Sequence, residues 1–362
     1  MSTISDVAQR AGVSTMTVSR VINSSGYSSP EARARVEAAS DELGSVPNAL
    51  ARQLRSKRTK TLALVVSDIS NPFFTTIARG AEDVAVRHGF SVMYCNTDES
   101  EREEAQDLRM LIERQVDGVL LVPAGNSGTS FRLLQSHRMP VVVLDRRVAR
   151  SDVDSVRCDS EAGAHALTRH LIELGHRRIA VLTGRRNIST SVDRVAGCRR
   201  ALEEAGLVLD DALVRYGGFT FGNLHQADGH RMARAVLAST ADRPTAIFAV
   251  NNFIAFGAIR ALHEAGIRVP DDMSVVAFDD LPAEWVSEPF LTVAAQPAYE
   301  IGRHAAAMLL DRIAGERVAA GEDLVLPFEL VIRRSTAPPR PSPEAALGHG
   351  NGRMTGVSTA RS

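Results

Sequence analysis

Two sets of side chains in this sequence have the chemistry to bind another molecule. The first set lies between residues 14 and 27 and offers mainly hydroxyl, amide and guanidinium groups, which bind phosphates and the edges of DNA bases. Thr15, Met16 and Arg20 are predicted to face bases, with Arg20 as the reader of guanine. Tyr27 either reaches a phosphate or packs beneath its own loop. The predicted DNA-contacting residues here are Ser14, Thr15, Met16, Thr17, Ser19, Arg20, Asn23 and Tyr27.

The second set follows apolar segments farther along the chain. Asp145 and Asp279 each come directly after such a segment, and open α/β sheets bind ligands beyond the carboxyl ends of their strands. Charged groups there would bind the hydroxyls of a sugar-like ring, while aromatic rings would pack on its apolar face. Taken singly, Arg194 could instead cap a helix and Phe74 could belong to the core. The predicted ligand-binding residues are Phe73, Phe74, Asp98, Arg146, Thr190, Arg194, Phe219, Phe221, Asn252 and Asp279.

Motifs of catalysis are missing from the sequence. It contains no GxSxG, GxxxxGK[ST], HExxH or CxxC pattern. Its histidine pairs, 165 with 170 and 225 with 230, are off the spacing that brings two ligands to one helix face. We therefore expect no enzymatic activity, no cofactor and no metal site.

Three short helices are predicted to position the DNA-contacting set. Thr3 and Asp6 have the spacing of a capping box, so the first helix begins at Ile4. Gly12 permits a tight turn, and Ser14 can cap a second helix. Two helices joined in this way are typical of a helix-turn-helix. A third helix over 31–43 turns its apolar residues at 36, 39 and 43 toward the first two.

From residue 62 the sequence alternates apolar, strand-like segments with amphipathic helical ones. This alternation is typical of doubly wound parallel sheets. Strands are predicted at 62–67, 91–95, 118–122, 141–144, 179–182, 246–250 and 274–277, and helices at 72–88, 102–115, 129–137, 161–174, 192–205, 224–239 and 254–265. Because two such series follow each other, we predict an α/β fold with two subdomains that face each other across a cleft.

Composition and charge favour a multidomain, DNA-binding protein. At 362 residues the chain exceeds one ordinary core, and 44% of it is hydrophobic. The net charge is −1, yet residues 1–60 carry nine Lys/Arg against five acids, which gives +4. A basic head on a mildly acidic body is typical of a DNA-binding module carried by another domain.

Other features of the sequence indicate where the protein is located in the cell and whether its carboxyl-terminal tail is ordered. The three cysteines are widely spaced, the apolar runs are too short to cross a membrane, and the amino terminus lacks a signal-peptide pattern. We therefore expect a cytoplasmic protein without a membrane partner. The tail is rich in Pro, Gly and Ser and contains no leucine heptads, so we expect it to be disordered and uninvolved in assembly.

Motifs spread along the chain resemble one family. They include DVAQRAGVSTMTVSRVIN at 6–23, PNALARQLR at 47–55, SDISNPFF at 67–74, LGHRRIAVLTG at 174–184, VPDDMSVVAFDD at 269–280 and LVIRRSTAPP at 330–339. Together, over residues 2–339, they resemble the lactose-repressor (LacI) family of bacterial transcriptional regulators. The resemblance implies a helix-turn-helix head, a periplasmic-binding-protein-like core and the regulation of transcription, most often by repression.

The resemblance also implies roles for particular residues. The segment 47–55 matches a hinge helix that enters the DNA minor groove as a pair, which adds Ala51, Leu54 and Arg55 to the DNA-contacting set. Leu54 matches the leucine that wedges into a base step. Arg194 and Asp279 match the arginine and aspartate that clamp the effector. The expected partners are palindromic operator DNA, a second copy of the chain in a homodimer, and a sugar-like effector in the cleft.

Four positions depart from the family or from one of its members. Ser45 replaces an aromatic residue beside the hinge, and Asn252 stands where relatives usually have aspartate. A purine-binding relative has arginine at the position of Ile188 and tryptophan at that of Arg146. A purine would lose a hydrogen-bond donor and a stacking surface here. We therefore predict a sugar, sugar phosphate or polyol, with Arg146 distinguishing neutral from phosphorylated forms.

Five domains or segments are predicted. They are residues 1–46 as the head, 47–60 as hinge helix and linker, 61–160 with 292–322 as the first core subdomain, 161–291 with 323–339 as the second, and 340–362 as the tail. The resemblance implies that the crossings near 299–312 and 329–333 form a hinge. Two alternatives are a solute-binding or sensor protein without a DNA role and an enzyme acting in the cleft. The basic head disfavours the first alternative, and the missing motifs disfavour the second.

Overall fold

The computed structural model describes residues 3–22, 27–43, 58–126, 128–148, 152–218, 224–239, 243–282, 287–316 and 321–340. They form two compact units. The first contains the residues up to Thr61 together with Gln115–Asp117, and the second contains the rest. The predicted hinge helix over 47–55 and the predicted tail from residue 341 onward lie outside the described residues.

The described residues of the first unit form three helices, in agreement with the prediction for this part of the chain. They are α1 Ile4–Ala11, α2 Thr15–Ile22 and α3 Pro30–Glu42. The capping box is present, because the Thr3 hydroxyl accepts from the Asp6 amide at 3.3 Å and the Asp6 carboxylate accepts from the Thr3 amide at 2.6 Å. Gly12 follows α1 at φ 64°, a left-handed conformation that glycine adopts without a steric cost.

The core of this unit consists of small aliphatic side chains. Val7 and Val18 are fully buried between the helices. An ion pair of 2.6 Å between Arg10 and Glu42 joins α1 to the end of α3. The prediction that Leu43 packs inward is wrong, since it is 36% exposed; it lies past the last turn of α3, where the backbone no longer follows the helix.

The described residues of the second unit form two six-stranded sheets. The first has the strand order β11-β5-β4-β3-β1-β2. Its strands are β1 Thr61–Val66, β2 Ser91–Asn96, β3 Gly118–Leu121, β4 Val141–Leu144, β5 Asp154–Cys158 and β11 Asp323–Leu326. The pairs β1–β3, β3–β4, β4–β5 and β5–β11 are parallel, as the alternation of elements predicts. We call this sheet with its helices subdomain 1.

The second sheet, with its helices, forms subdomain 2. Its strand order is β12-β10-β9-β8-β6-β7. Its strands are β6 Ile179–Thr183, β7 Val214–Tyr216, β8 Ala246–Ala249, β9 Ser274–Phe278, β10 Thr292–Ala295 and β12 Glu329–Val331. The β10–β12 pair is antiparallel, and β6–β7, β6–β8, β8–β9 and β9–β10 are parallel. Strands β6, β8 and β9 are buried throughout, which is typical of parallel strands covered on both faces.

Helices of the second unit pack closely in pairs. The helices are α4 Pro72–Arg87, α5 Glu101–Glu113, α6 Thr129–Ser136, α7 Ser160–Glu173, α8 Ser189–Glu204, α9 Leu224–Ser239, α10 Asn252–Glu264 and α11 Ala298–Ala314. A Cβ atom on Gly302 of α11 would lie 2.0 Å from the Ile77 carbonyl oxygen of α4. A Cβ atom on Gly257 of α10 would lie 1.9 Å from the Gln226 carbonyl oxygen of α9. Glycine is therefore required at both crossings.

The structure moves two of the predicted domain boundaries. Residues 292–295, predicted to open a segment of subdomain 1, form β10 of the second sheet. Residues 323–326, predicted to belong to subdomain 2, form β11 at the edge of the first sheet. Both strands have only four residues, too few for a pattern of apolar residues to show which sheet they extend. The chain therefore passes from subdomain 2 to subdomain 1 at Gln296 and Pro297, before α11, and it returns to subdomain 2 between β11 and β12.

Candidate DNA interface and effector cleft

Helix α2 presents most of the predicted DNA-contacting residues. Ser14 caps the helix by accepting a hydrogen bond from the Thr17 amide at 3.1 Å, and the two hydroxyl oxygens are 2.9 Å apart. Thr15, Met16 and Arg20 are exposed, and Met16 is 60% accessible. The three residues predicted to face bases thus lie on the surface, whereas the two neighbouring hydroxyls also serve to begin the helix.

The other predicted DNA contacts lie beyond this exposed patch. Ser19 is half-buried on the same helix. Tyr27 is 87% exposed, so the alternative in which it packs beneath its loop is wrong. Asn23, Ala51, Leu54 and Arg55 lie outside the described residues, and their contacts with DNA stay predictions.

The cleft is lined by residues at the carboxyl ends of strands from both sheets. Asp145 follows β4 of subdomain 1 at φ 63°, and Asp279 follows β9 of subdomain 2 at φ 69°. A left-handed backbone is uncommon for residues other than glycine, although Asp and Asn tolerate it best, and it often marks functional positions. Both side chains are buried, at 7% and 5% exposure, and the positive charge of Arg194 lowers the pKa of both carboxyl groups.

Arg194 is held by three elements of subdomain 2. Its Nε donates to the hydroxyl of Ser160 at 3.2 Å, and its Nη1 donates to the carbonyl oxygen of Val250 at 2.5 Å. The guanidinium stacks on the ring of Phe278, 3.8 Å from the ring centre. These contacts come from the start of α7 and the ends of β8 and β9. None of these contacts caps a helix, and the Arg194 charge also acts on Asp145 and Asp279.

Burial and the neighbouring positive charges have opposite effects on the pKa values of Asp145 and Asp279. Burial raises the pKa of Asp145 to about 6, although the neighbouring Arg146 and Arg194 lower it. Burial also raises the pKa of Asp279, against the lowering effects of Arg194 and of a 2.7 Å hydrogen bond from Gln296. Oδ1 of Asp145 has no hydrogen-bond partner within the part of the chain that the structure describes. A ligand hydroxyl could supply the missing donor.

Arg146 forms a buried ion pair that was not predicted from the sequence. Its Nη1 and Nη2 atoms donate to the carboxylate of Glu99 at 2.8 and 2.5 Å. The same two atoms donate to the Pro123 carbonyl oxygen at 2.5 Å and to the Ser67 hydroxyl at 3.3 Å. Glu99 lies in the acidic run 98–104, which is typical of a solvated surface, yet it is only 5% exposed. Its position shortly after β2 was the one signal for a cleft residue.

Further contacts join the two subdomains beside these groups. The Arg147 guanidinium pairs with the Asp193 carboxylate, with Nε and Oδ2 2.9 Å apart, and the Arg147 amide donates to the hydroxyl of Ser189 at 2.8 Å. Arg185, which follows β6, donates to the backbone carbonyl oxygen of Glu99 at 2.8 Å. Each contact has one partner in subdomain 1 and the other in subdomain 2.

Two cavities border Asp279. One, of about 440 Å³, is also lined by Phe73 and Gln296, and its size is within the range of small-molecule sites. The other, of about 140 Å³, is mainly apolar and is lined by Phe290 and Asn252 among others. Asn252 is fully buried, and neither atom of its amide has a hydrogen-bond partner among the described residues.

The remaining predicted ligand residues are more dispersed. Phe74 is 7% exposed and packs edge-on against Phe73 at 5.1 Å in the core of subdomain 1. Asp98 is half-buried and accepts a hydrogen bond from Asn96 at 2.7 Å. Thr190, in the first turn of α8, is half-buried. Phe219 and Phe221 lie outside the described residues. The structure therefore places Arg194 beside Asp279, and it places Arg146, Arg194 and Asp279 all near Asp145, with Phe73 and Asn252 at the adjoining cavities.

Family models cover nearly all of the described chain. Residues 3–48 match the model of bacterial regulatory proteins of the lacI family. Residues 59–334 match the model of periplasmic binding proteins and the sugar binding domain of the LacI family. The first match covers the predicted head, and the second covers most of the predicted core.

Relatives are similar over almost their whole length. The chain is 36% identical to the HTH-type transcriptional regulator DegA of Bacillus subtilis over 342 residues, 93% of this chain and 98% of DegA. It is 36% identical to the HTH-type transcriptional repressor PurR of Vibrio atlanticus over 315 residues, 86% of this chain and 92% of PurR.

Solved structures show the same architecture. A complex of the transcriptional regulator CelR with cellobiose has a TM-score of 0.69 and 36% identity, covering 92% of this chain and all of that one, 100%. The lac repressor dimer bound to operator and the anti-inducer ONPF has a TM-score of 0.80 and 28% identity, covering 93% of this chain and 99% of that one.

A helix-turn-helix head followed by a two-subdomain core with a polar cleft defines a DNA-binding transcriptional regulator. The chain belongs to the LacI family of bacterial regulatory proteins. The predicted resemblance and fold class are thereby confirmed, and the alternative of a solute-binding protein without a DNA role is not supported. No helix in the described ranges is long and apolar enough to cross a membrane.

Proposed function

We propose that this regulator binds a palindromic operator as a homodimer and releases or engages it in response to a sugar-like effector in the cleft. Each head places α2 in a major groove, where Thr15, Met16 and Arg20 face bases. The observation that carries this part is the exposure of these three side chains on one helix whose opposite face is the core of the head. A two-fold dimer requires an operator of matching symmetry.

The role of Arg20 is tested with its own matched control. Arg20→Ala should lose about 1–3 kcal/mol of affinity for an operator selected from random DNA, and it should relax the preference at one base pair. Arg33→Ala removes the same charge from an exposed position on α3 and should weaken binding only slightly. Titrations by fluorescence anisotropy on operator and on random DNA measure both effects. Equal losses for the two variants on both DNAs would exclude base reading by Arg20.

The hinge contact is tested at Leu54, which lies outside the described residues. If Leu54 wedges into the minor groove at the operator centre, Leu54→Ala should lose about 1–3 kcal/mol of specific affinity. Nonspecific, salt-sensitive binding should stay nearly unchanged, because it depends on phosphate contacts. A loss of the same size on random DNA would contradict the wedge.

The effector proposal rests on the groups that surround Asp279. Arg194 and Asp279 together can hold adjacent hydroxyls, Asp145 offers an unpaired acceptor atom, and Phe73 borders the larger cavity. A relative of similar architecture is described in complex with cellobiose, which agrees with a sugar-like ligand. Ile188, at the start of α8, is 4% exposed and offers no side-chain donor to a purine.

A thermal-shift screen of sugars, polyols and purines with the full-length protein tests the effector class. Arg194→Ala should still bind operator but should lose the response to effector, because DNA and effector bind to different domains. Arg194→Lys keeps the charge and serves as the control for folding. Stabilisation by hypoxanthine or guanine, with no sugar or polyol active, would overturn the proposal.

Assembly and the absence of turnover complete the proposal. The protein forms a dimer through its core, and the tail takes no part in assembly. Truncation after Pro339 should leave a dimer in sedimentation and unchanged operator affinity, whereas a tetramer that becomes a dimer would contradict this. The effector should be recovered chemically unchanged after long incubation, since the role is binding and not catalysis.

A further inference from the structure

The guanidinium of Arg146 has almost no capacity left for a ligand. Each Nη nitrogen carries two protons, and each donates to two acceptors. Nη1 donates to Glu99 and to the Pro123 carbonyl oxygen, and Nη2 donates to Glu99 and to the Ser67 hydroxyl. Only Nε has no hydrogen-bond partner among the described residues, and it faces Asp145 at 3.8 Å. The two-pronged donor face that would bind a phosphate is already occupied by Glu99.

The charges around the cleft also disfavour an anion. Two buried arginines, Arg146 and Arg194, stand against the four buried carboxyl groups of Glu99, Glu104, Asp145 and Asp279, so the cluster carries a charge of −2 when all are ionised. All six side chains are less than one tenth exposed. At this depth charges are screened weakly, so an added phosphate would meet net repulsion.

The unsatisfied atoms of the cleft are mostly acceptors. Asp145 Oδ1 and Gln296 Oε1 are buried without a hydrogen-bond partner in the described ranges, and so are both amide atoms of Asn252. A ligand that satisfies them must present several donors and few charges. Hydroxyl groups do this, since each can donate to a carboxylate or amide oxygen and accept from an amide nitrogen.

We propose that the cleft selects an uncharged sugar or polyol and rejects its phosphate ester, and that Glu99 is the residue responsible for the rejection. The proposal rests on the effector site proposed above and narrows its ligand class. A phosphate could bind the two-pronged face of the Arg146 guanidinium only by displacing the Glu99 carboxylate, which would separate that buried charge from its arginine. Arg146 is then a structural partner of Glu99, and Glu99 takes the role of distinguishing neutral from phosphorylated forms that was predicted for Arg146 from the sequence.

Three full-length proteins test the proposal: the wild type, Glu99→Gln and Glu104→Gln. Glu104 is also a buried acid near Arg146, but its carboxylate bonds to the Ala124 amide at 2.6 Å and to the Ser130 hydroxyl. Glu104→Gln therefore removes the same charge without freeing the guanidinium. Inorganic phosphate, hexoses and hexose 6-phosphates are the probes, and calorimetric titration at constant ionic strength measures their dissociation constants.

The wild type should bind a hexose or polyol at least tenfold more tightly than its 6-phosphate and should bind inorganic phosphate no better than Glu104→Gln does. Glu99→Gln should gain at least tenfold in affinity for inorganic phosphate. Wild-type protein that prefers a 6-phosphate would overturn the proposal while supporting a sugar effector. Phosphate affinity equal in all three proteins would overturn the role of Glu99.

Failure of the proposed effector class gives a different result. If no sugar or polyol binds the wild type but Glu99→Gln gains phosphate affinity, the shielding of Arg146 stands and the sugar effector does not. If Glu99→Gln fails to fold, the preference of the wild type between each hexose and its 6-phosphate still decides whether phosphate is rejected.

Discussion

Replacing Asp145 by asparagine should stabilise the protein. The buried carboxyl has an unpartnered Oδ1 within the described residues, and burial raises its pKa to about 6 from its usual value of 3.8. Asparagine has nearly the same shape, carries no charge, and tolerates the left-handed backbone that Asp145 adopts at φ 63°. The substitution thus removes a buried charge and leaves the backbone unstrained.

The pKa difference sets the size of the gain and its dependence on pH. Each pKa unit corresponds to about 1.4 kcal/mol, so a rise from 3.8 to about 6 lowers the stability of the folded protein by about 3 kcal/mol once the carboxyl is ionised. The folded state holds this proton more tightly than the unfolded state does. The penalty is therefore absent below the unfolded pKa, grows as pH rises, and is complete above the folded pKa. We expect a gain of about 3 kcal/mol at pH 8 and about half as much at pH 5.

Urea unfolding followed by far-ultraviolet circular dichroism, at both pH values, measures this gain. Asp98→Asn is the control, because Asp98 also has a left-handed backbone, at φ 48°, but is half-buried and hydrogen-bonded to Asn96. That variant should change the free energy of unfolding by no more than about 0.5 kcal/mol. A gain for Asp145→Asn that is equal at pH 5 and pH 8, or a loss at pH 8, would refute the reasoning. The stabilised variant should also respond less to effector, since stability and function compete at binding sites.

Three further predictions concern packing, pH and closure of the cleft. Gly302→Ala should lower the free energy of unfolding by about 1–3 kcal/mol in a urea titration, because its Cβ would meet the Ile77 carbonyl oxygen at 2.0 Å. Burial lowers the pKa of His176, so below pH ~6.5 the unfolded state binds more protons than the folded state, and the free energy of unfolding should fall there. His176→Gln should flatten this part of the curve of unfolding free energy against pH, and an unchanged slope would contradict the prediction. Asp193→Asn should weaken the pair with the half-exposed Arg147 by about 0.2–1 kcal/mol and lower effector affinity accordingly, by calorimetry, with operator affinity in the absence of effector as the control.

Local signals in the sequence predicted much of the fold. The capping box at Thr3 and the glycine turn at Gly12 depend on neighbouring residues only, and both are present in the structure. The long apolar strands and amphipathic helices of the core were also predicted, with ends that shift by up to three residues. For example, α8 begins at Ser189 and not at residue 192. Strands β5, β10 and β11 escaped prediction because polar residues interrupt or begin these short segments, which read DSVRC, TVAA and DLVL, and β3 and β4, although equally short, are continuous apolar runs.

The cleft was predictable only in part. Asp145 and Asp279 could be recognised because they directly follow apolar strands whose carboxyl ends must meet. Glu99 had only its position after β2 to mark it, since nothing in an acidic run shows which member turns inward. Its burial depends on Arg146, 47 residues away in sequence, and pairing over such a distance leaves no local trace. The sequence could not show, for the same reason, that the Arg146 guanidinium is paired with a carboxylate.

The contacts between the subdomains have a consequence for how this regulator can evolve. Arg147 with Asp193, and Arg185 with the Glu99 carbonyl oxygen, connect the subdomains through protein atoms alone. They bias the fraction of molecules with the subdomains in this arrangement, and the apparent dissociation constant of any ligand scales inversely with the fraction able to bind it. Substitutions at these residues could therefore retune the effector concentration at which a gene responds while the hydroxyl-binding groups, and so the identity of the signal, stay the same.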